Sequence, residues 1–369
     1  MHTPRRLWRS VMWLTVLWLT ASGAPAAERG HCGRQAGPQC LHSFALPAGA
    51  GQMHYYASRA PRPGDPHGPQ TALLILHGHP RDVGRSFEAG LQAARAAGRL
   101  PRTLVVAPLY QVAPAQAGRC SMPDTPGAQP GDALWSCAGW LAGAPSLGAH
   151  PLGAFAALDA LLGELARQWP SLRSVTLVGF SAGAQMLQHS IGFAADPPAG
   201  VALRYVIADP GSWLYFDPVR PVPLRGERTV PWEACGTGGC TWRFDVPATS
   251  PACAYDHWKY GTQSLPGYLP RTGAQARAHY AAAQVDYLEG ALDSSADKGT
   301  FYPILDKSCA AMLQGPFRLQ RGLAYAAYEQ AVLKPRTPRR MVIVPGCAHD
   351  VACVLGADAA RPVLFAPPP

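Results

Sequence analysis

The 369-residue chain is 48% hydrophobic and 15% charged, which supports a large packed core and excludes a disordered or fibrous protein. Its formal net charge is +9, and setting aside Arg5, Arg6 and Arg9 as part of an N-terminal leader lowers it to +6. No Lys/Arg run interleaved with aromatics follows, so the charge reads as solubility with a mild bias toward anionic surfaces, and no nucleic-acid partner is expected.

The first residues, MHTPRRLWRS, form a basic region. VMWLTVLWLTA is an apolar run of about eleven residues, too short to span a bilayer, and SGAPAA supplies small residues for cleavage within Ala24–Ala27. Residues 1–27 are therefore predicted to be a signal peptide. The mature chain is expected to be secreted or periplasmic, with no stable membrane insertion. All ten cysteines follow this segment, and an even count in an exported chain predicts disulfides. The near pairs are Cys32 with Cys40, Cys120 with Cys137, Cys235 with Cys240 and Cys347 with Cys353, which leaves Cys253 and Cys309. No C-x-x-C pair recurs at zinc-finger spacing.

Residues 28–50 are rich in Gly, Pro and Cys and read as coil. MHYYAS (53–58) alternates as a strand. TALLILHG (71–78) is a continuous apolar run, as in a buried parallel strand. A helix is predicted over 84–97, and TLVVAP (103–108) is a further buried strand stopped by proline. Residues 109–148 lack periodicity and read as an excursion loop. A helix over 151–170 begins near Pro151 and stops before Pro170. SVTLVGF (174–180) is a strand, AGAQMLQHSIG (182–192) a helix and RYVIADPG (204–211) a strand ending in a turn. Residues 212–283 break the alternation with an aromatic, Pro/Gly-rich insertion after the sixth strand. AQVDYLEGALD (283–293) resumes as a strand, 316–333 is a helix and RMVIVPG (340–346) is the last strand. Strands alternating with helices predict an α/β fold: a mostly parallel central sheet with helices on both faces. A single domain over 28–369, with the Cys/aromatic-rich insertion at about 212–283, fits this order.

VGFSAGAQ (178–185) contains G-x-S-x-G. The pattern arises by accident about 0.2 times in a chain this rich in glycine, so its context decides its meaning. Here a strand ends at Phe180 and a helix starts after Ser181. Such a strand–turn–helix exposes a serine hydroxyl above a sheet at a helix N-terminus. A serine nucleophile needs a base, and the base an orienting acid, in the chain order Ser, acid, His. Of His189, His257, His279 and His349, only His349 follows the last strand on a loop able to arch back over Ser181. Asp293, at the end of DYLEGAL, is the favoured acid. Asp209, ending the strand before the insertion, is the alternative, and Asp350 is poorly placed beside the base. The oxyanion hole is expected from the backbone N–H of Ala182 and a donor in HGHPRD. Pro80 lacks an N–H, which leaves Gly78 or, preferentially, His79. His77 and His79 lack an accompanying carboxylate–His cluster, so neither a metal nor another cofactor is expected. Trp213 and Tyr215 follow the RYVIADPG strand and are predicted to line the substrate pocket. Trp258 and Tyr260 offer the same aromatic surface or simple packing of the insertion.

LLILHGHPRD, LVGFSAGAQ, ADPGSWLYF, YDHWKYG, YLEGALD, LDKSCAAMLQGPFRLQRG and VPGCAHDVACVL together resemble a secreted α/β-hydrolase. The likeness is to the polyhydroxybutyrate-depolymerase and feruloyl-esterase-like branch of serine esterases, and the pieces span most of residues 71–355. The resemblance implies nucleophile Ser181, acid Asp293 and base His349, and a small-molecule or polymeric ester as substrate. Its departures are the cysteine density around His349 and the proline in HGHP. The resulting expectation is an exported serine hydrolase that cleaves carboxylic esters through an acyl-enzyme. The alternatives are a serine peptidase of the same fold and a non-catalytic binding protein.

Overall fold

The computed structural model of the protein describes residues 32–61, 68–236 and 238–366; the signal peptide expected over residues 1–27 lies outside them. Leu41–Ala45 (β1), Gln52–Ala57 (β2), Thr71–Leu76 (β3), Thr103–Leu109 (β4), Ser174–Phe180 (β5) and Ala202–Ala208 (β6) are followed by Arg220–Arg225 (β7), Arg228–Thr229 (β8) and Thr241–Asp245 (β9). Val285–Gly290 (β10) and Met341–Val344 (β11) complete the strands. Eight of them form one sheet in the order β1-β2-β4-β3-β5-β6-β10-β11. β1 pairs antiparallel with β2 and β2 with β4; every later pairing is parallel.

The helices are Val83–Ala96 (α1), Pro114–Cys120 (α2), Ala154–Gln168 (α3), Ala182–Ile191 (α4), Gly273–Ala282 (α5), Cys309–Met312 (α6), Arg318–Tyr328 (α7), Val351–Gly356 (α8) and Arg361–Leu364 (α9). Side chains alternate across the sheet, as the period of a strand requires. Leu73 and Ile75 of β3 join the core beneath α1, α8 and α9, while Leu74 and Leu76 join the opposite core with α3, α4 and α7. The central strands are buried on both faces, which explains their unbroken apolar runs. Among the described residues no helix is long and apolar enough to cross a membrane.

Several expectations change. The region read as coil contains β1, a short strand tied by the Cys32–Cys40 disulfide beside it. β4 runs through Pro108 to Leu109, where Pro108 pairs with Tyr55 of β2. The excursion at 109–148 contains α2 and buries Trp135 and Trp140 in the core, the latter stacked on Tyr110. The insertion holds its own three-stranded antiparallel sheet, β8-β7-β9, and ends in α5. Pro221 and Pro223 lie in β7, although proline normally argues against a strand paired on both sides. The helix expected at 316–333 starts at Arg318, is α over Arg318–Tyr328 and π over Glu329–Leu333. All four near cysteine pairs are bonded, and Cys253 joins Cys309 across 56 positions.

Candidate active site

β5 ends at Phe180 and α4 begins at Ala182, so Ser181 stands alone in the turn. Its backbone lies at φ 56° and ψ −119°, a conformation that side-chain-bearing residues hold only under strain. Two bonds fix it there: Ser181 N–H donates to Ala208 O at 3.0 Å, and its carbonyl accepts from Gln185 N–H at 3.0 Å. The flanking glycines permit the close packing. A Cβ on Gly179 would collide with the Gly183 carbonyl, and one on Gly183 with the carbonyls of Leu76 and His77. The start of α4 therefore rests on the end of β3, with the HGHP loop beside it.

His349 lies on the loop between β11 and α8. Its Nε2 is 2.8 Å from Ser181 Oγ and its Nδ1 is 2.7 Å from Asp293 Oδ2. In the matching tautomer Nδ1–H donates to the carboxylate and Nε2 accepts the serine O–H. Burial holds the imidazole pKa below its ordinary value, opposed by the bond to Asp293. The ring is thus a neutral base in neutral solution. Phe180 stacks on it at 4.7 Å between centroids.

The base and acid loops are joined to each other. Leu292 N–H donates to Cys347 O at 2.8 Å, Ala291 N–H to Val344 O at 3.0 Å and His349 N–H to Gly299 O at 3.1 Å. The Cys347–Cys353 disulfide closes the base loop from both sides. Asp350 caps α8, its Oδ1 accepting from Cys353 N–H at 2.9 Å, which commits it away from the base.

Asp293 sits three residues beyond β10, nearly inaccessible to solvent. A buried carboxylate needs a compensating charge. Arg318 supplies it: Nη1 donates to Asp293 Oδ1 at 3.2 Å and to Thr300 O at 2.6 Å. Arg318 is the first residue of α7, and Leu319 N–H also donates to the Asp293 carbonyl at 3.1 Å. Sequence reasoning missed this arginine. The available signal was a cation opening the helix that follows the acid, but nothing local distinguishes it from a solvated one.

Asp209 lies behind the acid, fully buried with φ 48°. Its Oδ1 accepts from Gly290 N–H at 2.8 Å, while Oδ2 and both oxygens of buried Glu289 meet no N–H or O–H donor. Two such carboxyls satisfy each other only when a proton is held between them. Accordingly burial, with the nearby Asp293 charge, lifts Asp209 to about 7, and burial raises Glu289 well above the usual range. Single ligand-type atoms of Asp209, Asp293 and His349 fall within 4.8 Å of one another, but both His349 nitrogens are already engaged by Asp293 and Ser181. His77 is likewise committed: Nδ1 bonds Gly78 O at 2.9 Å and Nε2 accepts from Tyr110 N–H at 3.3 Å, and burial lowers its pKa to about 4.

Of the loop donors weighed for the oxyanion, Gly78 N–H is taken by Asp82 Oδ1 at 2.8 Å. His79 is the remaining one. Ala182 occupies the first turn of α4, where backbone N–H groups have no helical acceptor.

Trp213 and Tyr215 require a correction. Both are fully buried: Trp213 stacks on Tyr325 at 4.3 Å, and Tyr215 packs against Tyr328 beneath the Arg220 guanidinium. Trp213 lies between Tyr287 of β10 and Tyr325 of α7, and Tyr215 lies against α7, so neither presents a surface to a substrate. Trp258 packs on Phe193 and His189, and Tyr260 O–H donates to Asp306 Oδ2 at 2.5 Å. A cavity of about 560 Å³ opens at the opposite end of the sheet, where Thr71, Thr103 and Ser174 begin β3, β4 and β5. It is remote from the serine, and catalytic groups of open parallel sheets gather at the other, C-terminal end of the strands.

The sheet order and the elbow at Ser181 define an α/β-hydrolase fold. No protein-family model matches the chain, and no curated protein matches it in sequence. Solved structures do. Poly(aspartic acid) hydrolase-1 from Sphingomonas sp. KT-1 superposes with a TM-score of 0.51 at 17% identity, covering 88% of this chain and 98% of that one. LpqC, a poly(3-hydroxybutyrate) depolymerase from Bordetella parapertussis, gives 0.51 at 18% identity, over 85% of this chain and 84% of its own. At such identity the likeness establishes the fold, and the chemistry has to be argued from this chain's residues.

Proposed function

We propose that the protein is an exported serine hydrolase that cleaves carboxylic esters through an acyl-enzyme. The observation that carries this reading is the unbroken relay from Ser181 Oγ through His349 to Asp293, at 2.8 and 2.7 Å, with the serine held in a strained turn at a helix N-terminus. Ser181 Oγ attacks the ester carbonyl as His349 Nε2 takes its proton. Asp293 stabilises the imidazolium, with its own burial offset by Arg318. The backbone N–H groups of Ala182 and His79 receive the oxyanion. The imidazolium returns the proton to the departing alcohol oxygen, and water then repeats the sequence on the acyl-enzyme. The five disulfides support an oxidising compartment, and with the leader-like N-terminus they support export. Residues 28–369 are read as one catalytic domain carrying the insertion at about 212–283.

Of the two structural neighbours named above, one is named for an ester polymer and the other for an amide-linked one. A polymeric ester belongs to the same reading as a small one, and the amide is covered by the peptidase arm of the test. The test is a panel of alkyl and p-nitrophenyl esters beside aminoacyl anilides, assayed on purified mature protein with and without a serine-directed phosphonate. Ester turnover abolished by the phosphonate is the expected result. Turnover of anilides alone would make the protein a peptidase, and silence on both would make it a binding protein.

A further inference from the structure

With Trp213 and Tyr215 in the core, the surface that meets the substrate must come from elsewhere. The described residues expose seven large hydrophobic side chains, and three of them, Leu292, Phe301 and Ile304, fall within the segment carrying Asp293. They are 53%, 55% and 69% exposed. Leu292 immediately precedes the acid and is hydrogen-bonded to the base loop at Cys347 O. Phe301 stands edge-on to the His349 imidazole at 6.0 Å between centroids. Of the two rings in contact with His349, Phe180 is buried and Phe301 is open to solvent.

Phe301 is held in place. Its neighbours Gly299 and Thr300 accept hydrogen bonds from His349 N–H and Arg318 Nη1, at 3.1 and 2.6 Å. Its own backbone has φ 50°, a left-handed conformation unusual for an aromatic residue. Ile304 N–H donates to Phe301 O at 3.2 Å, which sets exposed Ile304 one tight turn further along the chain. An exposed ring held on a constrained backbone against the catalytic base is costly to maintain for folding alone.

The chemistry of the base says which part of a substrate meets it. In the acylation step the Ser181 Oγ–carbonyl bond has formed, the C–O bond to the alcohol breaks, and the proton on His349 Nε2 passes to the departing oxygen. The alcohol is therefore within hydrogen-bond reach of the imidazole when it leaves. Phe301 is an exposed ring beside that imidazole, which puts an apolar surface within reach of the departing alcohol. We propose that Phe301, extended by Ile304, forms an apolar subsite for the alcohol portion of the ester, so that the enzyme prefers esters of bulky apolar alcohols. This inference rests on the esterase reading above.

The experiment uses full-length mature protein and alkyl butyrates whose alcohols have similar acidity: methyl, butyl, hexyl and cyclohexylmethyl. A second series holds the alcohol as methyl and lengthens the acyl chain. Wild-type kcat/KM should rise along the alcohol series. Phe301→Ala should cut it about tenfold for the hexyl and cyclohexylmethyl esters and less than about twofold for the methyl ester. Ile304→Ala should show the same pattern at smaller size, and Phe301→Leu should restore part of the preference. An equal loss on all alcohols, or a shifted acid limb in the pH profile, would mean that Phe301 only positions His349 and would overturn the proposal. So would a loss that follows the acyl chain. If wild type turns over esters with no dependence on the alcohol, the subsite fails and the esterase reading stands. If wild type is silent on every ester, the esterase reading fails and takes the subsite with it.

Discussion

Replacing Asp209 by Asn should stabilise the protein in neutral and alkaline solution and leave it unchanged in acid. Asp209 is fully buried and faces Glu289, Asp293 and Arg318. Its carboxyl is lifted from 3.8 to about 7, first by burial and then by the Asp293 charge. Below about pH 3 the group is protonated whether the chain is folded or not, and it places no charge in the core. As pH rises from about 4 to 7 the unfolded chain loses this proton and the folded chain keeps it, so the folded state is progressively disfavoured. The full difference, reached near pH 7, is ~4 kcal/mol. An asparagine cannot ionise. Its Oδ1 can still accept from Gly290 N–H, and its Nδ2 can donate to Glu289, which otherwise lacks a donor. With an unfolding entropy of about 2.1 cal/mol/K per residue, ~4 kcal/mol corresponds to roughly 6 °C in Tm for a chain of this length. The assay is thermal unfolding of wild type and Asp209→Asn between pH 4.5 and 9, with ester turnover measured alongside. The two Tm curves should separate as pH rises and run parallel above about pH 7, with kcat kept within a few-fold. Curves parallel throughout would show that Asp209 carries no extra proton in the folded state, and the account of the buried carboxyl pair would be refuted.

The remaining predictions concern the relay and its loop. Ser181→Ala should leave the fold intact, by circular dichroism, and reduce turnover below about one part in a thousand; a higher residual rate would remove the serine from the nucleophile role. Asp293→Asn should lower kcat by roughly three to four orders of magnitude through loss of tautomer control, far more than Asp209→Asn, and the reverse ranking would move the acid to β6. Since burial lowers the His349 pKa, kcat/KM should stay level down to a midpoint below 6.5 and then fall about tenfold per pH unit; a midpoint above 6.5 would contradict the burial argument. Cys347→Ser with Cys353→Ser releases a cross-link over a short loop, worth ~2 kcal/mol by loop entropy. Displacement of the base by ~1 Å costs about a hundredfold in rate, so kcat should fall clearly while Tm falls by only a few degrees, and an unchanged kcat would reject the pinning role.

Local chemistry made part of this site legible. The turn at Ser181 announces itself because two glycines, a preceding strand and a following helix must all fall within about ten residues. The last strand places His349, and the strand before it places Asp293, because a parallel sheet delivers its strand ends to one side. Four disulfides join the nearest cysteines, since short loops close at least entropic cost. Cys253–Cys309, separated by 56 positions, follows only by subtraction. What stayed hidden depends on distant partners. β7 was obscured by Pro221 and Pro223, and β1 by its brevity. Arg318 and Glu289 are ionisable residues with no local sign of burial, and such residues are almost never fully buried unless paired.

The misplaced aromatic wall has a more general cause. Trp213, Tyr215 and Phe301 are all large rings on segments that leave the C-terminal ends of strands, and composition cannot rank them. The difference lies in the neighbouring chain. Trp213 and Tyr215 meet Tyr325 and Tyr328 of α7, and Gln314 and Gln188 satisfy the backbone between them, with Gln314 bonded to Trp213 and Gln188 to Leu214. That backbone satisfaction allows the segment to be drawn under the surface, even though Trp213 Nε1 and the Tyr215 hydroxyl meet no partner there. The backbone around Phe301 is satisfied differently, by His349 and Arg318. The base and the arginine that pairs with the acid thus fix the two residues that lead into the exposed ring. The residues just before this exposed ring are bonded to His349 and to the arginine that pairs with Asp293, and this is why the segment after the acid, rather than the insertion, is the place to look for substrate preference.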